Sequence, residues 1–157
     1  MEQIQKGFSL IELLIVVAII LIIAAIAIPN LIKSKMAANE ASAVGSVRTI
    51  NTGEVNYAAS CPTVGFSATL VELNTGGVCR GGKGIIDSVL AAGKKSGYTF
   101  KYTPTKGGDR LYDSDKDVAV PATIGTRGQR GFYSDQTGVI RYTLKGTAPT
   151  AASSILQ

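Results

Sequence analysis

A chain of 157 residues has room for one folded domain beyond a long N-terminal helix, but not for two. It contains no histidine, which excludes histidine-based catalytic triads, histidine metal ligands and a histidine pH switch. A formal net charge of +5 is typical of a solvated surface and does not by itself indicate a nucleic-acid partner. The composition argues against an enzyme, and we expect no cofactor.

The first predicted element is an apolar helix over residues 8–28. These 21 residues would span about 31 Å as an α-helix, close to the thickness of a bilayer's hydrocarbon core. Glu12 lies inside this segment, where a carboxylate costs about 2.5 to 3.5 kcal/mol on insertion scales. It therefore needs a cationic partner. A cut between Gly7 and Phe8 would supply one, because it creates an α-amino group on the same chain or on a neighbouring subunit.

The residues around this point carry a family resemblance. The stretch 6–14, with the sequence KGFSLIELL, resembles the prepilin signal of type IV pilins and of the related pseudopilins of type II secretion. The similarity is close over about residues 1–60 and looser beyond them. It implies that a prepilin peptidase removes the leader 1–7, that Phe8 is N-methylated, and that the mature helices pack into a filament core in which Glu12 sets the register.

Two simpler interpretations of the same segment remain open. A secretory signal peptide would be cut after an A-x-A site, and residues 25–27 have this pattern. However, the apolar region of a signal peptide is about 7 to 15 residues long, shorter than this one, and would not carry Glu12. A single-pass membrane anchor fits the hydropathy but leaves the string GFSLIE unexplained.

The helix is predicted to continue over residues 30–60 as an amphipathic segment. Pro29 has no N–H and clashes with the preceding turn, so we expect the helix to kink or loosen there. Type IV pilins usually carry a proline at this point, and it is a candidate assembly residue. One helix face should pack on the C-terminal domain. The apolar residues of this face are Met36, Ala37, Ala43, Val44, Val47, Ile50, Val55 and Ala58, interrupted by Asn51 and Glu54.

A connecting loop rich in glycine and small polar residues is predicted over residues 61–97. It contains two apolar clusters, residues 68–73 and 85–92, each long enough for a short helix. Cys61 and Cys79 enclose 17 residues. The export signal argues for an oxidising compartment and therefore favours a disulfide, worth about 3 kcal/mol, over two free thiols.

Residues 98–157 are predicted to form a small antiparallel sheet that ends in a mobile tail from Gly146. Alternating aromatic and polar residues indicate a half-buried first strand, and a turn follows at residues 104–109. Residues 135–138 are suited to a hairpin loop. Packed on the second half of the helix, this β-meander makes an α+β fold of the pilin type. The predicted strands are 98–103, 110–112 resuming at 118–120, 131–134 and 139–143.

Three aspartates in this region form a weak candidate for a metal site. Asp113, Asp115 and Asp117 alternate as the first oxygen ligands of a calcium loop do. The rest of the EF-hand pattern is missing, because the sixth position is Val118 and the twelfth is Ile124. We therefore expect a solvated acidic turn and no metal, with calcium as the weaker alternative.

Basic residues accompany the predicted strands. Binding of DNA would require these charges on one face, together with exposed aromatic rings for stacking. The alternation of Tyr98, Phe100 and Tyr102 instead places their rings in the core, so nucleic acid is not a favoured partner. The basic residues are Lys94, Lys95, Lys101, Lys106, Arg110, Arg127, Arg130 and Arg141.

The resemblance implies a structural subunit, the major pilin of a type IV pilus that serves adhesion or motility. The precursor would reside in the cytoplasmic membrane and then polymerise with its own copies, through the pilus assembly machinery, into an extracellular helical filament. One alternative is a type II secretion pseudopilin, which forms a short periplasmic filament with the secretion machinery. Another is a secreted binding module with an ordinary signal peptide, whose mature chain would begin after Ala27.

Overall fold

A computed structural model describes residues 7–77, 79, 81, 84–108 and 111–156. The predicted leader, apart from Gly7, and the predicted strand start at Arg110 lie outside these residues. The chain divides into two compact units, Met1–Ser34 and Lys35–Gln157. Its elements are α1 Leu10–Ser60, α2 Leu70–Thr75, α3 Ser88–Ala91, β1 Lys94–Lys95, β2 Tyr98–Lys106, β3 Tyr112–Pro121, β4 Gly131–Asp135, β5 Arg141–Thr143 and β6 Ser154–Ile155.

The N-terminal unit contains the first part of helix α1. This part is long and apolar enough to cross a membrane, and none of the residues of that span is buried within the chain. Pro29 lies inside α1, and the backbone is helical on both sides of it. One turn is reinforced by Asn30, whose Nδ2 donates to the carbonyl of Ile26 at 3.1 Å. Pro29 therefore does not interrupt the helix.

The strands of the C-terminal unit form one antiparallel sheet in chain order, so the predicted meander is confirmed. Strand β2 continues through Pro104 to Lys106, where the sequence predicted a turn. The pairing of β1 with β2 involves only Tyr98 and Thr99. Pro104 lies beyond the part of β2 that pairs with β1. A residue with an N–H at this position would find no acceptor in β1, so the strand loses no hydrogen bond to β1 by having proline there.

Strand β3 is continuous, although the sequence predicted two separate pieces. It pairs with β2 along almost its whole length, from Tyr98 opposite Pro121 to Lys106 opposite Tyr112. The predicted acidic turn therefore lies within a paired strand. The sequence of this strand lacks a regular alternation of apolar and polar residues, because two of its buried side chains are the carboxylates of Asp115 and Asp117. The pattern therefore did not predict a continuous strand.

The core of the C-terminal unit lies between the second part of α1 and the sheet. The predicted helix face is correct at Ala43, Val47 and Ile50, which are fully buried. It is wrong at Val55, which is 63% exposed, because the buried stripe passes through residues 50, 53, 54 and 57. This stripe follows helical spacing but includes a charged residue, so a search for apolar residues alone missed its course. The core residues from other elements include Leu73, Leu90, Tyr98, Phe100, Ala119 and Phe132.

The predicted short helices are confirmed within both apolar clusters of the connecting loop. Thr69 caps α2, since its side chain accepts the N–H of Glu72, and Asp87 caps α3 by accepting the N–H of Leu90. Cys61 follows α1 directly and forms a disulfide with Cys79, with their Cα atoms 5.6 Å apart. The disulfide therefore ties the end of the long helix to the loop that contains α2.

The C-terminal tail was predicted to be mobile from Gly146, and this prediction is wrong for its last part. Strand β6 pairs with β5, with Arg141 opposite Ile155. Two further bonds hold it: Leu156 N donates to Ile140 O at 2.8 Å, and Arg141 Nη1 donates to Ser153 O at 3.2 Å. The small polar residues of this segment give no strand pattern. The strand is held by backbone hydrogen bonds, which do not depend on the residue type.

We expect loss of the disulfide to lower the free energy of unfolding by about 2 to 4 kcal/mol, because it constrains the unfolded chain. Cys79→Ser is the clean variant, since Cys79 is exposed whereas Cys61 is buried in the core. Urea unfolding of the full-length subunit in detergent measures the change. Comparison of Cys79→Ser with the double variant Cys61→Ser/Cys79→Ser measures the additional effect of replacing the buried Cys61 side chain in the core. An unchanged midpoint for Cys79→Ser would contradict the prediction.

Candidate functional site

The predicted cleavage point lies in an open position just before α1. Residues 7–9 precede the helix without regular structure, and Gly7 and Phe8 are both exposed. The side chain of Phe8 is 87% exposed, and a Cβ built on Gly7 would meet no atom within 4 Å. The Gly7–Phe8 bond is therefore accessible to another protein.

Ser9 and Glu12 form a reciprocal cap at the start of α1. Ser9 N donates to Glu12 Oε2 at 3.1 Å, and Ile11 N donates to Ser9 Oγ at 3.3 Å. This is a capping box, in which two helical N–H groups that lack backbone partners are satisfied. The spacing S-x-x-E carries the signal, but the sequence analysis considered Glu12 only as a charge. Within the single chain, Glu12 therefore already stabilises the N-terminus of the helix, where the helix dipole favours a negative charge.

Beyond this cap, the first part of α1 presents apolar side chains on all sides. Their exposures range from 39% for Ile32 to 77% for Leu10 among the large residues of this part. Such a continuous apolar surface is far larger than the patches that soluble monomers expose. It is suited to contact with lipid or with other apolar helices.

The three candidate calcium ligands are not brought together by the fold. Thr105 pairs with Ser114 and Lys106 with Tyr112, so Asp113 is the extra residue of a β-bulge. It is exposed, whereas Asp115 and Asp117 are both 2% exposed. Among the described residues, no group of three histidine, cysteine, aspartate or glutamate side chains is arranged to hold a metal ion.

Asp115 and Asp117 instead join Glu54 in a buried acid cluster between α1 and β3. Glu54 Oε1 accepts the hydroxyl of Ser67 at 2.6 Å, and its Oε2 accepts the Ser67 N–H at 2.7 Å. Burial nevertheless raises the pKa of Glu54 to about 7, with a smaller contribution from the charge of Asp115. Burial also raises the pKa of Asp115 to about 6, and that of Asp117 well above its usual value. No local sequence pattern predicts this cluster, because Glu54 and the aspartates are distant in the chain.

A second buried carboxylate, Glu40, has the opposite environment. It forms an ion pair with Arg130, whose Nε lies 2.7 Å from Glu40 Oε2. Glu40 Oε1 accepts the backbone N–H groups of Gln129 at 2.8 Å and Arg130 at 3.2 Å. Burial alone would raise the pKa of Glu40, but these hydrogen bonds and the charge of Arg130 outweigh it and lower the pKa. Glu40 thus attaches α1 to the segment before β4.

Two of the basic residues, Arg130 and Lys95, are engaged in contacts within the chain. Arg130 is paired with Glu40 and lies over the rings of Phe132 and Tyr142, 5.6 and 5.7 Å from their centroids. Lys95 forms an ion pair with Asp87 at 2.7 Å. The rings of Tyr98 and Phe100 are buried, as predicted, and are not available for stacking.

Comparison with known proteins gives matches to the N-terminal part of the chain. The family described as "Prokaryotic N-terminal methylation motif" matches residues 3–28. The type IV major pilin protein PilA of Myxococcus xanthus is 46% identical over 53 residues, 34% of this chain and 24% of the relative. The type IV wide pilus major component PilA4 of Thermus thermophilus is 63% identical over 35 residues, 22% of this chain and 27% of the relative.

A third relative, the type IV major fimbrial protein FimA of Dichelobacter nodosus, is 54% identical over 52 residues, 31% of this chain and 33% of the relative. The chain thus spans a quarter to a third of the length of these curated relatives. No solved structure matches the chain.

We expect Glu40→Gln to destabilise the subunit by about 1 to 2 kcal/mol at pH 7, because it removes a partly buried, charge-assisted hydrogen-bond network. The lowered pKa means that Glu40 stabilises the fold above its unfolded-state pKa, and that this contribution is lost as the pH falls through its folded-state pKa. The difference from wild type should therefore shrink in acid. Urea unfolding at several pH values measures it.

Asp87→Asn provides the matched control for this prediction. It removes the charge from the exposed Lys95–Asp87 pair, but asparagine can still cap α3. We expect little change in stability, since exposed ion pairs contribute little. If Asp87→Asn lowered the free energy of unfolding as much as Glu40→Gln does, the partly buried position of Glu40 would not explain its contribution to stability.

Proposed function

Because the chain belongs to the type IV pilin family through its N-terminal segment, we propose that it is a major pilin, the repeating subunit of a type IV pilus. The observation that carries this proposal is the apolar part of α1, in which no residue of the membrane-length span is buried, preceded by an accessible Gly7–Phe8 bond. The named relatives are a major pilin, a wide pilus major component and a major fimbrial protein, which supports the same function.

In this proposal, the subunit is made as a precursor in the cytoplasmic membrane. A prepilin peptidase cuts after Gly7, and Phe8 is N-methylated. The absence of a side chain on Gly7 leaves the backbone open to the protease. The motif that matches residues 3–28 supports this step, since its description names N-terminal methylation.

Polymerisation then transfers the apolar part of α1 from lipid to contact with copies of itself. Both surroundings are apolar, so the gain must come from close packing and from polar groups that pair between helices. Glu12 and the amino group of Phe8 are suited to such a pair. An unpaired charge on either would be costly in an apolar core, so the pair favours one register between neighbouring helices. Pro29 contributes by allowing the helix to adapt as it packs.

The folded C-terminal unit would form the outer surface of the extracellular filament and serve adhesion or motility. A pseudopilin of type II secretion would share the processing steps but build a short periplasmic filament. The descriptions of the relatives favour the pilus. Electron microscopy of cells distinguishes the two, since only the pilin would give long surface fibres. A mature chain that began after Ala27 would instead indicate a secreted binding module.

We expect the mature chain to begin with N-methylated Phe8, and Gly7→Leu to leave an uncut precursor. A side chain at Gly7 would touch no other described atom, so the variant should fold normally and the defect should lie in recognition by the protease. Mass spectrometry of the N-terminus measures the outcome. Gly45→Leu is the control, because a Cβ at Gly45 also meets no atom within 4 Å. Normal processing of Gly7→Leu would contradict the prediction.

We expect Glu12→Leu to be inserted and processed but to assemble poorly when it is the only pilin in the cell. Insertion becomes easier without the charge, whereas in the filament the amino group of Phe8 loses its partner, which costs about 3 to 5 kcal/mol. Electron microscopy and the yield of sheared fibres measure assembly.

Glu12→Gln separates the charge of Glu12 from its cap. A glutamine side chain can still accept the N–H of Ser9 but cannot neutralise an amine. If pairing with the amine matters, Glu12→Gln should assemble as poorly as Glu12→Leu. Abundant fibres from Glu12→Gln would show that the helix cap, and not the charge, is what assembly requires.

A further inference from the structure

We propose that the acid cluster of Glu54, Asp115 and Asp117 is a proton-binding site that makes the C-terminal unit more stable in mild acid than at alkaline pH. The site lies between the second part of α1 and strand β3, within the C-terminal unit. It is separate from the N-terminal segment, so the proposal does not depend on filament assembly.

The cluster contains carboxylate oxygens that have no hydrogen-bond donor among the described residues. Asp115 Oδ1 and Asp117 Oδ2 are buried and accept no hydrogen bond from the described residues. Both residues are 2% exposed. By contrast, both oxygens of Glu54 are occupied by Ser67. A buried carboxylate with an oxygen that lacks a donor is destabilised in its charged form, and addition of a proton reduces that penalty.

Among the described residues, the groups that face the cluster supply no positive charge. Tyr102, Asp117 and Ser134 lie opposite one another on β2, β3 and β4. The hydroxyl of Tyr102 donates to Ser67 O at 2.8 Å, and that of Ser134 accepts Nδ2 of Asn51 at 2.8 Å. The remaining charged neighbour is Asp135 on β4, which repels the negative charge of Asp115.

The ion pairs recorded among the described residues, Lys95–Asp87 and Arg130–Glu40, involve none of the three cluster carboxylates. The cluster is therefore neutralised most readily by protons.

A cleft gives protons a route to this site. It has a volume of about 120 Å³ and is lined by Glu54 and Asp115 together with the hairpin loop after β4. Asn51 also lines it, and its Oδ1 accepts no hydrogen bond from the described residues. The cleft therefore contains a second buried oxygen that has no hydrogen-bond donor among the described residues. The other lining residues are Val55, Phe66, Asp135, Gln136, Thr137 and Gly138.

The direction of the pH effect follows from the pKa values. In the unfolded chain these carboxyl groups titrate near pH 4. In the folded unit, burial raises the pKa of Asp115 to about 6 and that of Glu54 to about 7. Burial also raises the pKa of Asp117 well above its usual value. Between about pH 4 and about pH 7, the folded state therefore binds more protons than the unfolded state. The free energy of unfolding accordingly falls as the pH rises through this range.

The test is urea unfolding of the full-length subunit in detergent between pH 5 and 8.5, followed by the near-ultraviolet circular dichroism of its tyrosines. We expect the unfolding equilibrium constant of wild type to rise at least about tenfold from pH 5 to pH 8, since each unit of pKa shift corresponds to a factor of ten. Asp117→Asn should flatten this dependence and stabilise the subunit at pH 8. Asp115→Asn provides a second variant with the same expected direction.

Asp113→Asn is the matched control, because Asp113 lies on the same strand but is exposed. It should keep the wild-type pH profile. The proposal would be overturned if the free energy of unfolding of wild type stayed constant or rose between pH 5 and pH 8. It would also be overturned if the cluster variants kept the pH dependence of Asp113→Asn.

Added calcium separates a proton site from a cation site. We expect millimolar calcium chloride and EDTA to give the same unfolding midpoint at pH 8. If calcium stabilised wild type but not Asp115→Asn, the cluster would be a cation site and the proton proposal would be wrong.

Discussion

The first part of α1 exposes apolar side chains that the chain itself does not cover. Burial of apolar surface contributes about 25 cal/mol for each Å² removed from water, so a helix of this composition is stable only against lipid or other apolar helices. The remaining features of the N-terminal segment are consistent with this constraint. The capping box of Ser9 and Glu12 supplies acceptors to two backbone N–H groups at the start of this helix, those of Ser9 and Ile11.

The second part of α1 faces a different constraint, because it brings two carboxylates into the contact with the sheet. Glu40 meets Arg130 and two backbone donors, so its negative charge is stabilised where it lies. Glu54 meets the hydroxyl and N–H of Ser67 on one side and the aspartates of β3 on the other. The same helix therefore holds one acid that favours its charged form and one that favours its neutral form. Their contributions to stability change with pH in opposite directions.

The contact around Glu40 also depends on a close approach in the loop before β4. The hydroxyl of Tyr98 donates to Arg130 O at 2.8 Å, and it occupies the space where a side chain on Gly128 would lie. Glycine at this position lets the loop pack against the ring of Tyr98. The loop then presents the N–H groups of Gln129 and Arg130 to Glu40. The Tyr98 ring and Gly128 thus help to position the loop that forms the ion pair with Glu40.

The amino-acid sequence by itself determined the elements whose signals are local. The apolar run after Phe8, the spacing of Ala43, Val47 and Ile50 and the aromatic alternation from Tyr98 each follow a single helix or strand period. The S-x-x-E spacing of the cap at Ser9 is an equally local signal.

Only the tertiary structure decided which charged residues are buried. The sequence placed Asp115 and Asp117 in a solvated turn and treated Glu54 as an interruption of an apolar face, yet all three lie in the interior. The three acids are up to 63 positions apart in the chain, from Glu54 to Asp117. The bulge at Asp113 and the pairing of the last strand likewise arise from backbone bonds between strands. Such bonds involve every residue type, so no local pattern of side chains reveals them.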